Sequence, residues 1–350
     1  MIFEKKFPKT KALLEQAIPE VFPAYAVGVF VDNTVTHSTS QCDTKSLFDL
    51  ASLTKIICTT TIAAMAEQKK KLTIEESVQD FFPNFPSSKV KLSHLLNHSS
   101  GLPAWLPLYD GFQEKGFDPI TTPQKARVEY EEKILKSWQQ KDFEKNALYS
   151  DLGFMLLGWC LEKKLQMDID ALFQEWIANP YMLHSLQFLP ISPNVLPTEN
   201  CPWRKHVLRG EVHDDNCYIL GGIAGHAGLF GNILDTLQVG ILWLKAFCGE
   251  HHFLKPETVQ KYWSFSHIPT SSRVLGWDGV SENSSTGQFF SSNSRGHLGF
   301  TGTSLWIDAN HKLVVALLTN RVYPTRQNEK IKTFRPLFHD SLCLELGFHN

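Results

Sequence analysis

No charge of one sign dominates this 350-residue chain: 34 Lys and Arg stand against 36 Asp and Glu, a formal net charge of −2. A nucleic-acid partner, which shows as a basic excess or stripe, is therefore not expected. The one basic run, Lys69-Lys70-Lys71, reads as a solvated helix end favoured by the dipole. Long apolar runs are also missing. The first twenty residues hold no secretion-signal core, and Val21 to Val31 is too short to span a bilayer. A cytoplasmic protein without a membrane span is the expectation. There is no Cys-x-x-Cys pair; the seven cysteines are odd in number and widely spaced, which suits free thiols in a reducing compartment.

Several catalytic and binding signatures are absent as well. No Gly-x-Ser-x-Gly occurs; the nearest stretch, Asn97-His98-Ser99-Ser100-Gly101, lacks the first glycine, which excludes an α/β-hydrolase elbow. The Gly-rich segment Gly221 to Gly231 contains neither a dinucleotide fingerprint nor a P-loop. Glu211, His213, Asp214, Asp215 and His226 cluster in sequence, but without a spacing such as His-Glu-x-x-His they predict no metal.

What is present is an ordinary globular composition, 43% hydrophobic and 20% charged, with enough chain for two structural units. A helix (Lys9 to Ile18) and a strand (Ala26 to Val31) open the chain. Helix-compatible sequence runs from Leu53 to Gln68, and helical spacing returns at Arg127 to Gln139, Gly153 to Lys163 and Ile169 to Ile177. Pro190 to Asp215 reads as a long loop, followed by the Gly-rich stretch and a helix near Leu234 to Phe247. His297 to Asp308 and Leu313 to Val322 read as two strands joined by a turn, and a last helix begins about Glu329. Strands at both ends and helices between them predict a discontinuous α/β domain, residues 1–60 and 232–350, with a mostly helical domain inserted at 61–231.

Ser52-Leu53-Thr54-Lys55 is a Ser-x-x-Lys element at a loop-to-helix junction. Residues three apart share a helix face, so Lys55 can reach the Ser52 hydroxyl, and the helix N-terminus offers N–H groups to an oxyanion. The pattern alone selects nothing, because Ser88-Lys89-Val90-Lys91 repeats it.

Context separates the two. SLFDLASLTKIICTTTIAAMAE, KVKLSHLLNHSSGLPAW, Tyr149-Ser150-Asp151, Gly296-His297-Leu298-Gly299-Phe300 and LTNRVYP occur in that order between Ser46 and Pro324. Together they resemble the β-lactamase-related serine hydrolases, the penicillin-binding and class C β-lactamase-like enzymes. GEVHDDNCYILGGIAGHAGLF resembles the subgroup with muramyl-alanine amidases and low-molecular-weight carboxypeptidases. The resemblance implies an α/β (α+β) fold, a central antiparallel sheet flanked by helices with the helical insertion. It also implies an acyl-enzyme hydrolase needing no metal or organic cofactor and acting on a small-molecule or short-peptide substrate.

Carried onto this chain, the resemblance makes Ser52 the nucleophile, with Lys55 and Tyr149 sharing the base role in proportions left open. The N–H groups of Ser52 and Phe300 hold the oxyanion, and Asp151, His297 and Gly299 complete the cleft. Three departures stand out. Asp151 replaces the usual Asn and can pair with Lys55, raising its pKa. Leu298 replaces a small hydroxyl residue that holds a substrate carboxylate, a loss that Asn320 or Arg321 could offset. His297 brings a group expected to titrate near neutrality. His213 and Asp214 are expected to meet a polar or amino-bearing substrate, a peptidoglycan-derived amide before an ester. A catalytically impaired binding module on the same fold is the alternative of another class.

Overall fold

Two runs of aliphatic and β-branched residues from opposite ends of the chain meet at the centre of the molecule. In the computed structural model, which describes residues 2–112, 117–282 and 284–348, strand Tyr25–Val31 pairs antiparallel with Leu313–Thr319, Val29 facing Val315. Every residue of both strands is buried, which explains why their sequences run apolar without alternation. Thr34–Ser40, polar except for Val35, takes one edge of the sheet beside Tyr25–Val31. On the other side follow Ser304–Asp308, Ser294–Leu298 and the short Asp278–Gly279, all antiparallel. The segment His297 to Asp308, expected as one strand, is two: the chain breaks at Gly299 and turns back at Thr303.

Helices cover both faces of the sheet. Pro8–Gln16 and Ile331–Glu345 bury Phe7, Leu14, Phe334, Phe338 and Leu342 against Val27, Val29 and Leu317. Proline at the first position of the former suits a helix start, where its missing N–H has no role. Ile233–Phe247 packs Leu237 and Ile241 on the opposite face, in one continuous core with helices Thr61–Gln68 and Asp151–Leu165. The helix expected at Arg127 already begins at Thr121, and the one at Ile169 widens after Phe173 into a π-turn.

Within Pro190 to Asp215 only the two-residue strands Asn200–Cys201 and His206–Val207 are regular. All seven cysteines are free. No helix among the described residues is long and apolar enough to cross a membrane.

Candidate active site

Ser52 stands at a forced turn. Strand Phe48–Asp49 pairs with Leu229–Gly231, and the Leu50 N–H continues the ladder to the Leu229 carbonyl. Ala51 then adopts φ +47°, a left-handed conformation that costs a residue with a Cβ. The Asp49 carboxylate holds the turn, accepting from Ala51 N–H at 2.8 Å and from His213 N–H at 2.6 Å. Helical structure starts one residue after Ser52, whose own N–H has no acceptor among the described residues.

Lys55 follows one turn later, at the head of the π-helix Lys55–Thr60, a widened turn of the kind that often marks functional sites. Its Nζ has no exposure and donates to Ser52 Oγ at 3.0 Å, Asp151 Oδ1 at 2.7 Å and the His226 carbonyl at 3.0 Å. Three protons meet three acceptors. Burying a lone ammonium costs several kcal/mol and would lower its pKa. Burial lowers it here too, but Asp151 and Tyr149 together outweigh that, and Lys55 is held above its ordinary range. The second Ser-x-x-Lys has no such setting: Ser88 is exposed and Lys91 pairs with Glu75 at the surface.

Tyr149 and Asp151 arrive together on the entry to helix Asp151–Leu165. Tyr149 Oη lies 2.7 Å from Ser52 Oγ. Ser150, between them, caps the helix by accepting from Gly153 N–H and donates its hydroxyl to the Pro103 carbonyl at 2.6 Å. Its N–H donates to His98 Nδ1 at 3.1 Å, and the Asp151 N–H donates to the Ala104 carbonyl at 2.9 Å. The loop from His98 to Ala104 thus grips the backbone that delivers both side chains.

His98 is buried, left-handed at φ +62°, and its ring lies 4.8 Å from that of Tyr149. Burial keeps it neutral, well below the usual histidine range. Because Nδ1 accepts, Nε2 carries the proton, and it has no partner among the described residues. Nothing in the sequence marked this residue beyond its place in LLNHSSGL.

His297 stands on the other side of Tyr149, ring centroids 5.7 Å apart. It is 4% exposed, lies behind Tyr149 rather than on the cavity wall, and its Nδ1–H donates to the Leu298 carbonyl at 2.8 Å. Burial first, then the charges of Lys55 and Arg273, push its pKa well below the usual range. The expectation that His297 titrates near neutrality is therefore overturned: a desolvated imidazole beside two cations stays neutral.

The turn after Leu298 brings Phe300 to the nucleophile. Thr301 Oγ1 donates to the Asp49 carbonyl at 2.7 Å and Thr303 Oγ1 to that of Leu50 at 3.1 Å, stapling the turn to the Ser52 segment. At Gly299 a Cβ would fall 2.0 Å from Thr303 Oγ1 and 2.7 Å from the Leu50 carbonyl, so only glycine allows the approach. The Phe300 N–H, like that of Ser52, has no acceptor among the described residues.

Asn320 and Arg321, expected at the substrate, are instead spent on backbone. Asn320, 3% exposed, accepts from Ala24 N–H and donates to the Pro197 carbonyl. Arg321, 4% exposed, donates to the carbonyls of Phe300, Arg326 and Asn328.

Ser52, Tyr149 and Asp151 open on a cavity of about 350 Å³, also lined by Trp105, His213, Asp214, Asp215, His226, Phe300 and Arg326. The Gly-rich stretch forms one wall. A Cβ at Gly225 would meet the Phe154 carbonyl at 2.3 Å, so glycine lets this chain lie on helix Asp151–Leu165 and point the His226 carbonyl at Lys55. Sequence did not single out Arg326, on the cavity wall, or the buried Glu199, which pairs with it at 2.6 Å.

Elsewhere, His94, Glu144 and His267 place ligand atoms within 4.8 Å of one another. They suit hydrogen bonding better than a metal. His94 Nδ1 accepts the Lys91 N–H, so its Nε2 keeps a proton for Glu144, and the two imidazoles stack in parallel at 3.7 Å.

Comparison with known proteins supplies the family and the fold. The sequence profile of the beta-lactamase family matches residues 12–338. The N-acetylmuramyl-L-alanine amidase of Bacillus subtilis (strain 168) is 26% identical over 363 residues, covering 91% of this chain and 81% of that protein. Among solved structures, EstCE1, described as a hydrolase with promiscuous acyltransferase activity, superposes with a TM-score of 0.74 at 18% identity, covering 97% and 99% of the two chains. The octameric penicillin-binding protein homologue from Pyrococcus abyssi gives 0.73 at 17% identity, over 98% of this chain and 78% of that one.

Proposed function

The chain belongs to the beta-lactamase family, and on that footing we propose that it hydrolyses an amide or ester through an acyl-Ser52 intermediate. One observation carries the proposal: Ser52 Oγ stands 2.7 Å from Tyr149 Oη and 3.0 Å from Lys55 Nζ at the mouth of a cavity.

The base role falls to Tyr149. Lys55, as an ammonium with all three protons engaged, has no lone pair to accept the serine proton. Burial raises the Tyr149 phenol although the Lys55 charge pulls it down, which disfavours a standing phenolate. Tyr149 therefore acts as a relay. It takes the Ser52 proton while handing its own to the leaving nitrogen or oxygen, and Lys55 steadies the negative charge that passes through. Ser52 Oγ bonds to the carbonyl carbon, the oxyanion sits on the N–H groups of Ser52 and Phe300, and the leaving group departs protonated. Water then clears the ester by the same relay. No step calls on a metal or organic cofactor.

The preferred substrate class is a peptidoglycan-derived muropeptide or a D-amino-acid peptide. The muramyl-alanine amidase relative supports it, as does a cavity within the usual size of small-molecule sites. A carboxylesterase is the second reading, favoured by Trp105 and Phe300, which expose about half their surface at the cavity; Leu298 packs against the separate core around Trp306. Seven free thiols support a reducing, cytoplasmic setting.

The test is covalent labelling with a fluorophosphonate, followed by turnover of muramyl-peptides, short-chain p-nitrophenyl esters and nitrocefin, with Ser52→Ala as control. Labelling at Ser52 and turnover of an amide or ester that Ser52→Ala abolishes is the expected result. A Ser52 that never reacts from mildly acidic to mildly alkaline pH would leave a binding module instead.

A further inference from the structure

We infer that the cavity beside Ser52 recognises the protonated amino group of its substrate, through Asp214 with Asp151, and disfavours substrates that carry a carboxylate there. This rests on the hydrolase reading above and adds the charge of the substrate to it.

Lys55, Arg204, Arg273 and Arg326 are each held by a carboxylate, and Arg321, behind Phe300, is spent on backbone carbonyls. Lys55 is held by Asp151 at 2.7 Å. Arg326 spreads its guanidinium over both oxygens of Glu199 and reaches Asp215 Oδ2 at 3.1 Å. Arg204 takes Asp215 Oδ1 at 2.9 Å, and Arg273, beside Tyr149, pairs with Asp278 at 3.3 Å. A substrate carboxylate would find no uncommitted Lys or Arg here among the described residues.

The acceptors are not all committed. Asp214 Oδ1 receives the Cys217 N–H at 2.7 Å and His226 Nε2–H at 3.0 Å, while its Oδ2 accepts from no described residue. Asp151 Oδ1 receives Lys55, and its Oδ2 likewise accepts nothing from the described residues. Both side chains line the cavity that holds Ser52 and keep 24% and 18% of their surface exposed.

Lys55 pairs with Asp151, Arg204 with Asp215, and Arg326 with Glu199 and Asp215, whereas Asp214 on the cavity wall has no Lys or Arg partner among the described residues. Its neighbour His226 is 1% exposed, with Nε2 3.0 Å from Asp214 Oδ1 and Nδ1 without a partner among the described residues. Burial opposes ionisation of Asp214, yet the His226 contact and the Cys217 N–H hold it well below the usual carboxylate range.

Trp105 and Phe300 complete the pocket with ring surface, which attracts an ammonium and excludes water. Of the substrates proposed above, the one that fits is a D-amino-acid peptide or related amide or ester with an unblocked amine close to the scissile carbonyl, not an N-blocked muramyl-peptide.

Protection of Ser52 tests this directly. Fluorophosphonate labelling is followed at pH 6.5 with alanine amide, N-acetylalanine amide or N-acetylalanine present, each as D and L forms. Alanine amide, cationic at this pH, is expected to slow labelling at least threefold where the other two have no effect. Protection should fade by pH 9 as the amine loses its proton, and vanish in Asp214→Asn, whose amide oxygen still caps the helix Asp215–Ile219. Equal or better protection by the neutral or anionic compounds, or none by alanine amide, would overturn the inference while leaving the hydrolase intact. Absence of labelling at Ser52 overturns the hydrolase reading itself, a separate result.

Discussion

Lys55 Nζ lies 2.7 Å from Asp151 Oδ1, so the lysine beside the nucleophile is one half of a buried ion pair. That pair decides how the proton of Ser52 can move. A lysine acting as base must be neutral; one paired this closely stays an ammonium and works by its charge.

Asp151→Asn separates the two roles. Losing the carboxylate leaves burial to lower the Lys55 pKa from a value now above its ordinary range. If activity needs the ammonium, the alkaline limb of Ser52 labelling moves down by at least one pH unit. A labelling rate that instead climbs with pH in this variant makes Lys55 the base and ends the relay through Tyr149.

His98 is expected to act as a positioning residue. His98→Asn keeps an acceptor for the Ser150 N–H and tolerates the left-handed backbone. It should retain labelling within a few-fold of wild type. His98→Leu strands that N–H and should cost roughly 1–3 kcal/mol of stability by the usual penalty for an unpaired buried donor. It should also lower kcat about tenfold with little change in KM. Equal behaviour of the two variants in chemical denaturation and kinetics would refute the clamp.

Gly299→Ala probes the oxyanion site without touching a side chain that bonds to substrate. The added methyl meets Thr303 Oγ1 and the Leu50 carbonyl, and Phe300 must shift. Removing one oxyanion donor costs about a hundred- to a thousandfold in kcat in comparable sites. A fall within that range at unchanged KM is expected; wild-type kcat would remove the Phe300 N–H from the mechanism.

Glu199 links the site to acid stability. Although burial opposes it, bonds from His213 and Arg326 depress its pKa from 4.5 to about 2. A depressed carboxylate stabilises above its unfolded pKa, and that contribution fades as pH falls from about 4.5 towards 2. A shift of this size corresponds to roughly 3 kcal/mol. Urea unfolding of Glu199→Gln should show a deficit of that order at pH 7 that closes near pH 2. A deficit that persists unchanged at pH 2 would show that packing, not charge, is what Glu199 supplies.

Ser52 and Lys55 were singled out by the ordered segments around them, because helical spacing, though local, fits Ser88 and Lys91 equally well. The central strands were legible locally, since their residues announce burial on both sides. The chain break between His297 and Asp308 was less so. Each residue there is compatible with a strand, and the turn exists because Thr301 and Thr303 find the carbonyls of Asp49 and Leu50, some 250 residues away in sequence.

By itself, then, the sequence determined the order of elements, the fold they resemble, and the serine around which a site forms. Tertiary structure alone decided the electrical state of that site. Whether Asp151 touches Lys55, whether His297 meets water, and whether Arg321 faces substrate or backbone all depend on burial and on partners distant in the chain. Charges and proton affinities follow those surroundings, which is why residue types could name the participants and only their packing could assign the roles.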